Sequence, residues 1–494
     1  MLSFIKSYII YSYNDSALGF LRNYYRNSNQ FNKISGTSLN ILDTVRADYL
    51  TSTLTKFLSR FLDFVTLNNL FVLLAIGLSI LFAYKLFRNF SRNFIFPLIF
   101  SILYSTSIYF LNRVTSATTS LYFIFLFPLV VDNLIKDKKP LLIGMIVFLS
   151  LLVSSYYGYF LFITVLLWYL SLLISKRNVR SKALKSILIF VAPVAFGVIV
   201  FFGSVFVKNV PLFGNYSKTK NKLVEEQTSS VYRAVDDWYA FSFRPWYPVI
   251  PPKNSLFFGN LSKNIYSSIS KTNYYLADDY AEQEMAGSYI GWHFILGMGS
   301  VAILLLLKRF KNKEYPAFRS VYENREVITR SFLIVFCILL ISGPPSFTIS
   351  GVTIYTPSYL LYYVMPVFRV LVRWAVVVYL FVLVINVYFI QDLYTLMKEK
   401  WQKGLFIFGF LILNFVIFAV RIPIININEP PLEVSYLKQR FPESVPYAVY
   451  PKGDFYSIFW VISHKDLLIN PTNLIDYKIG FDANEFSDKL ITQE

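Results

Sequence analysis

Apolar residues in this chain come in continuous runs, and the runs recur from residue 66 to residue 421. Ten of them read as membrane-spanning helices: residues 66–87, 94–111, 117–135, 140–155, 158–174, 186–207, 289–307, 331–343, 374–396 and 404–421. About 20 apolar residues cross a hydrocarbon core roughly 30 Å thick. In lipid each backbone amide must be bonded internally, which selects helices for such runs. A membrane barrel needs strands that alternate in polarity, and these runs do not alternate. Met1–Tyr13 is apolar but short and has no small-residue cleavage site, so it is no cleavable leader. Either the chain begins outside the cytoplasm, or the numbered start lacks part of a first helix, which would be an eleventh span.

Between and beyond these runs the pattern changes. Leu42, Val45, Tyr49, Leu50, Leu54, Phe57, Leu58, Phe61 and Val65 recur at helical spacing, with Lys56, Arg60 and Asp63 on other faces. This predicts a helix lying along the membrane interface, and Ala17–Arg26 predicts a shorter one. The passage Trp238–Pro252 is rich in aromatic residues and proline and reads as extended or turning chain packed on the bundle. Gly343–Pro357 interrupts a hydrophobic region with glycine and proline; non-helical backbone at membrane depth needs protein or a watery cavity over it. From Pro430 short β-prone runs, Tyr447–Tyr450 and Tyr456–Ile462, are separated by polar turns.

Composition supports a membrane class: 55% of residues are hydrophobic and 15% charged, against about a quarter charged in soluble domains. The net charge of +18 is dispersed in clusters just beyond the apolar runs, at Lys85/Arg88/Arg92, Lys136–Lys139, Lys176–Lys185, Lys308–Lys313 and Lys398–Lys403. That dispersal excludes a nucleic-acid-binding face. Positive-inside bias makes these clusters cytoplasmic. The expected fold is an all-α transmembrane helical bundle of about 10–11 spans, with external amphipathic helices and a small α/β C-terminal external appendage. Residues 1–65 form the external first segment and 66–207 a first set of spans. Residues 208–288 form a long external loop, 289–421 further spans, and 422–494 the external C-terminal domain. Residues 112–116 and 344–373 are then short external connections, and the protein is a multi-pass cell-membrane protein.

Cys337 is the single cysteine and His293 and His464 the only histidines, which excludes an intrachain disulfide and a thiolate or histidine-rich metal site. No glycine-rich phosphate loop, nucleophile elbow or His-Glu-x-x-His is present. The candidate chemistry lies in charged residues at the external end of the bundle. Asp15 can take a proton from an acceptor hydroxyl, or it caps the helical pattern that follows. Arg369 and Arg373, four residues apart, would share a helical face and fork onto a phosphate, or snorkel beside Trp374. Arg244 is a further phosphate candidate, or packs on neighbouring aromatics. Asp236 with Asp237, and Asp278 with Asp279, are paired carboxylates able to ligate a divalent cation. Glu284 and His293 flank the start of a span and complete the set. No cofactor is firmly implied.

Several passages resemble the GT-C type membrane glycosyltransferases, in particular the YfhO-like group of bacterial membrane proteins. They are Leu121–Asp132, Leu151–Phe160, Ile341–Pro345 and Tyr359–Trp374, with Tyr436-Leu437, Val449-Tyr450 and Trp460–Asn470 in the tail. The likeness is diffuse over most of residues 40–470. It implies a helical bundle using a polyprenyl-phosphate-linked sugar outside the cytoplasm, with inverting transfer to a glycan, lipid or protein acceptor. Such families carry an acidic residue in the first external loop, and Asp15 matches it best. Asn14-Asp15 departs from the paired aspartates of many members. A transporter or flippase of lipid-linked glycans, with ionisable groups mid-span, and a non-catalytic scaffold for envelope assembly are the alternatives.

Overall fold

The computed structural model describes residues 8–10, 49–91, 93–116, 118–173, 177–209, 235–244, 246–269, 284–311, 314–349, 352–364, 368, 370–426, 446–447 and 467–468. Among these residues the chain is mostly helical. Seven helices are long and apolar enough to cross a membrane: Phe64–Arg88, Ile95–Thr115, Ser155–Leu173, Arg180–Ile199, Trp292–Lys311, Leu371–Leu396 and Lys400–Phe418. Two shorter apolar helical stretches, Thr119–Ile135 and Pro140–Val153, occupy two more of the expected runs. The run at 331–343 lies in helix Arg325–Ser342, whose first turns carry Arg325, Glu326 and Arg330.

The helices are layered around Leu371–Leu396. In its most apolar window 83% of residues are buried, against 17% in Lys400–Phe418. Its apolar residues point to every side, as a helix surrounded by other helices requires. Close approach elsewhere depends on small residues: a Cβ on Gly144 would stand 2.6 Å from the Phe190 carbonyl oxygen, and one on Gly297 2.1 Å from Asn386 Oδ1. Small residues let membrane helices meet backbone to backbone.

The basic ends of the helices gather at one end of the bundle. Asn89 Nδ2 donates to Asp132 Oδ1 at 2.5 Å, and Lys182 pairs with Asp137. The Asp392 carboxylate accepts the Ser320 and Val321 amides at 3.2 and 3.1 Å. Phe96 against Tyr394, ring centroids 5.0 Å apart, ties the two groups together.

Three expectations need correction. Residues 112–116 are not a loop: the run from Ile95 pauses at Thr106, Ser107 caps a new helix by accepting the Phe110 amide, and that helix continues to Thr115. The interfacial helix, described from Tyr49, ends at Leu58, before its apolar pattern does at Val65, and Asp63 starts the first span by accepting the Thr66 amide at 2.9 Å. Its residues before 49 lie outside the described ones. Its polar face is turned inward, with Thr51 Oγ1 donating to the Val153 carbonyl at 2.8 Å, while Leu50, Leu54 and Phe57 are exposed. Third, Gly343–Pro357 holds an exposed antiparallel hairpin, Ser346–Ile349 with Val352–Tyr355, that satisfies its own backbone.

Two further strand pairs are present among the described residues. Tyr8–Ile10 pairs antiparallel with Ile424–Asn426, and Pro446–Tyr447 parallel with Leu467–Leu468. The rest of the tail, and the predicted helix at Ala17–Arg26, lie outside the described residues.

Candidate functional site

At the end of the bundle away from the basic loops, three charged side chains from distant parts of the sequence meet in the interior. Arg113 comes from the last turn of Ile108–Thr115. Glu284 stands in a helical turn at 284–286, which rests on that helix through Gly287, beside Tyr109 and Asn112. Arg373 belongs to the 3₁₀ turn Leu371–Trp374 that opens the central helix. This turn is held by the Val372 amide, which donates to the Phe241 carbonyl at 2.9 Å.

Glu284 is the hub. Its Oε1 accepts from Arg113 Nη1 at 2.8 Å and from Arg373 Nη2 at 2.6 Å. Its Oε2 lies 2.7 Å from Arg113 Nη2 and accepts from Arg373 Nε at 3.3 Å. The side chains of Arg113, Glu284 and Arg373 are 2%, 4% and 7% exposed. Aromatic faces complete the enclosure: Arg373 sits 4.7 Å above the Tyr156 ring and Arg113 5.3 Å above Tyr109. Tyr157 hydroxyl, near that of Tyr109 at 3.4 Å, donates to the Leu121 carbonyl at 2.5 Å.

Burial pushes the Glu284 carboxyl upward, yet the guanidiniums of Arg113 and then Arg373 outweigh it and bring it down to about 2. Glu284 is therefore ionised at neutral pH and cannot act as a proton donor there. Two guanidiniums against one carboxylate leave one positive charge in excess, and Arg113 Nε has no hydrogen-bond partner. Burying such a cluster gains little stability over well-packed apolar residues.

Arg244 adds a second buried cation at the same end. It follows Phe243, whose amide donates to the Ser342 carbonyl at 2.7 Å. Its Nη2 donates to the Tyr239 carbonyl at 2.9 Å. It is 8% exposed with Nε unpaired. Burial lowers its pKa, and the groups that raise it again are Tyr247 and Tyr239; no carboxylate faces it among the described residues.

The sequence candidates thus separate. Glu284 and Arg373 are brought together, whereas Arg373 is turned inward rather than snorkelling to the surface. The helical face proposed for Arg369 and Arg373 is interrupted at Val370, which has φ −88° and ψ 76°; Arg369 itself lies outside the described residues. Asp15 lies outside them too, as do Asp278, Asp279 and His464. Asp236 and Asp237 stand in helix Val235–Ala240, with side chains outside the description. His293 is separate from the cluster, its Nε2 3.1 Å from Asn414 Oδ1. Among the described residues no group of three or more His, Cys, Asp or Glu side chains could hold a metal ion. Arg113 was missed because it reads as a loop cation between two apolar runs. The available signal was its amphipathic setting, Ile108-Tyr109-Phe110-Leu111-Asn112-Arg113-Val114, which continues a helix past the end of the apolar run.

Comparison with known proteins adds little to this geometry. No curated protein matches the chain, and no solved structure does. One family, described as a domain of unknown function (DUF6311), matches residues 49–237, a stretch that contains Arg113 but stops short of Arg244, Glu284 and Arg373.

Proposed function

We propose that this chain is a multi-pass membrane glycosyltransferase of GT-C type, moving a sugar from a polyprenyl-phosphate-linked donor to an envelope glycan, lipid or protein. All ten apolar runs would cross the bilayer, with the basic ends cytoplasmic by the positive-inside rule. The reading rests on one observation: buried cations outnumber carboxylates where Arg113, Glu284 and Arg373 meet and at Arg244 nearby. A water-poor site with surplus positive charge favours a transition state in which negative charge grows on a leaving phosphate. In the proposed step the acceptor oxygen attacks the anomeric carbon, and the bond from that carbon to the phosphate oxygen breaks. Polyprenyl phosphate leaves with the electron pair. Asp15 takes the acceptor's proton; Arg244, Arg369 and Arg373 face the phosphate, with Glu284 orienting Arg373.

The second reading, transport of a lipid-linked glycan, has its own support in buried polar groups within the spans. Asn68 and Asn386 are fully buried, and each keeps one amide atom unpaired. The deciding experiment supplies labelled sugar on polyprenyl phosphate to proteoliposomes of the full chain. Transfer that disappears in Asp15→Asn and falls steeply in Arg244→Gln upholds the glycosyltransferase. Movement of intact donor across the bilayer without transfer supports the transporter and overturns it.

A further inference from the structure

A separate pocket of about 380 Å³ lies at the far end of helix Lys400–Phe418. Among the described residues three cations line it, Lys253, Lys263 and Arg421, and no Asp or Glu does. Its floor is fastened to the helix end. The Leu256 amide donates to the Ala419 carbonyl at 2.9 Å and the Arg421 amide to the Asn254 carbonyl at 2.8 Å. Asn254 Nδ2 returns a bond to the Arg421 carbonyl at 3.0 Å. The Lys253 ammonium stands 5.3 Å from the centre of the Tyr266 ring.

The rim is apolar and continuous with the flank of the helix. Leu256 is 47% exposed and Phe257 54%, and Phe257 meets Phe415 edge to face at 6.2 Å. Lys400–Phe418 is the least buried of the seven long apolar helices, so its outer flank is in contact with acyl chains. A cationic pocket two or three residues beyond that flank sits at headgroup depth. Exposed apolar side chains reaching lipid beside a cluster of basic residues are the arrangement that anionic lipids recognise.

We infer that the pocket formed by Lys253, Lys263 and Arg421 binds the phosphate of an anionic lipid headgroup, with Leu256 and Phe257 against its acyl chains. The inference does not depend on the proposed sugar transfer. It gives the bundle a lipid site apart from the Arg113–Glu284–Arg373 cluster.

The test measures retention of phosphatidylglycerol by the full chain in neutral detergent, with phosphatidylcholine and inorganic phosphate as the other probes. Lys263 and Arg421 are exposed, so Lys263→Gln/Arg421→Gln should keep the wild-type unfolding temperature. Loss of two basic contacts should weaken phosphatidylglycerol binding about thirtyfold, and Lys263→Glu, which changes the charge by the same amount, should weaken it about as much. Phosphatidylcholine should bind far less well than phosphatidylglycerol. Unchanged binding by the double variant, or equal binding of phosphatidylcholine, overturns the site. Inorganic phosphate binding as tightly as phosphatidylglycerol overturns its lipid character.

Discussion

Replacing Glu284 by Gln keeps the shape of the side chain and removes the single negative charge that Arg113 and Arg373 share. Both guanidiniums are then buried with no counter-charge between them. Breaking a buried pair by removing one partner costs about 3–5 kcal/mol. The carboxyl's fall from 4.5 to about 2 gives an independent figure of roughly 3 kcal/mol. Arg113→Gln differs in kind, because it leaves Glu284 with Arg373 as a neutral, doubly bonded pair. Its expected cost is about half that of Glu284→Gln. Unfolding of the full chain in neutral detergent, followed by tryptophan fluorescence, reads both: Trp374 adjoins Arg373 and packs on Phe160 at 4.2 Å. The charge argument is refuted if Arg113→Gln destabilises as much as Glu284→Gln.

Other outcomes follow from the same geometry. The Glu284 carboxyl is depressed in the folded chain, so its contribution is complete above about pH 4.5 and is lost as pH falls toward about 2. The difference in unfolding temperature between wild type and Glu284→Gln should shrink over that window; a gap unchanged down to pH 3 contradicts it. Gly297→Ala should cost about 1–3 kcal/mol by forcing helices Trp292–Lys311 and Leu371–Leu396 apart, since the new methyl would meet Asn386 Oδ1. Adding Asn386→Ala should recover part of that loss, and additive losses in the double variant would exclude the clash as the cause. In a Cys337→Ser background, Lys138→Cys should react with impermeant thiol reagents from the cytoplasmic face and Asn254→Cys from the outer one. Labelling of both from one face would contradict the alternation of spans.

The bundle was legible because length and continuity of apolar runs are local properties, and lipid leaves the backbone one way to satisfy itself within a segment. Even the breaks followed local chemistry, as at Ser107 and Asp63, whose side chains cap helices that the hydrophobic pattern had read through. The Arg113–Glu284–Arg373 cluster was only partly legible. Arg373 and Glu284 stood out as charges at the ends of apolar runs, but their pairing spans 89 residues, and that of Arg113 with Glu284 spans 171. No periodicity encodes a contact at that separation. The expected helical face of Arg369 and Arg373 fails at Val370, whose φ of −88° and ψ of 76° are not helical, just before the 3₁₀ turn that begins at Leu371.

The helix most enclosed by the others is encoded late. Leu371–Leu396 emerges from the ribosome only after five of the seven long apolar helices have taken up lipid neighbours. Until then Phe294 and Tyr104 lack Tyr379, and Phe90 lacks Tyr388, as partners. The earlier helices already pack on one another, as Gly144 does on Phe190, but the faces they later turn to Leu371–Leu396 stay open to lipid until the newcomer displaces it. Enclosure of the core is therefore completed late in synthesis. A chain truncated before residue 371 should keep the packing of Pro140–Val153 on Arg180–Ile199 yet leave the shared core open to lipid and to quality-control proteases.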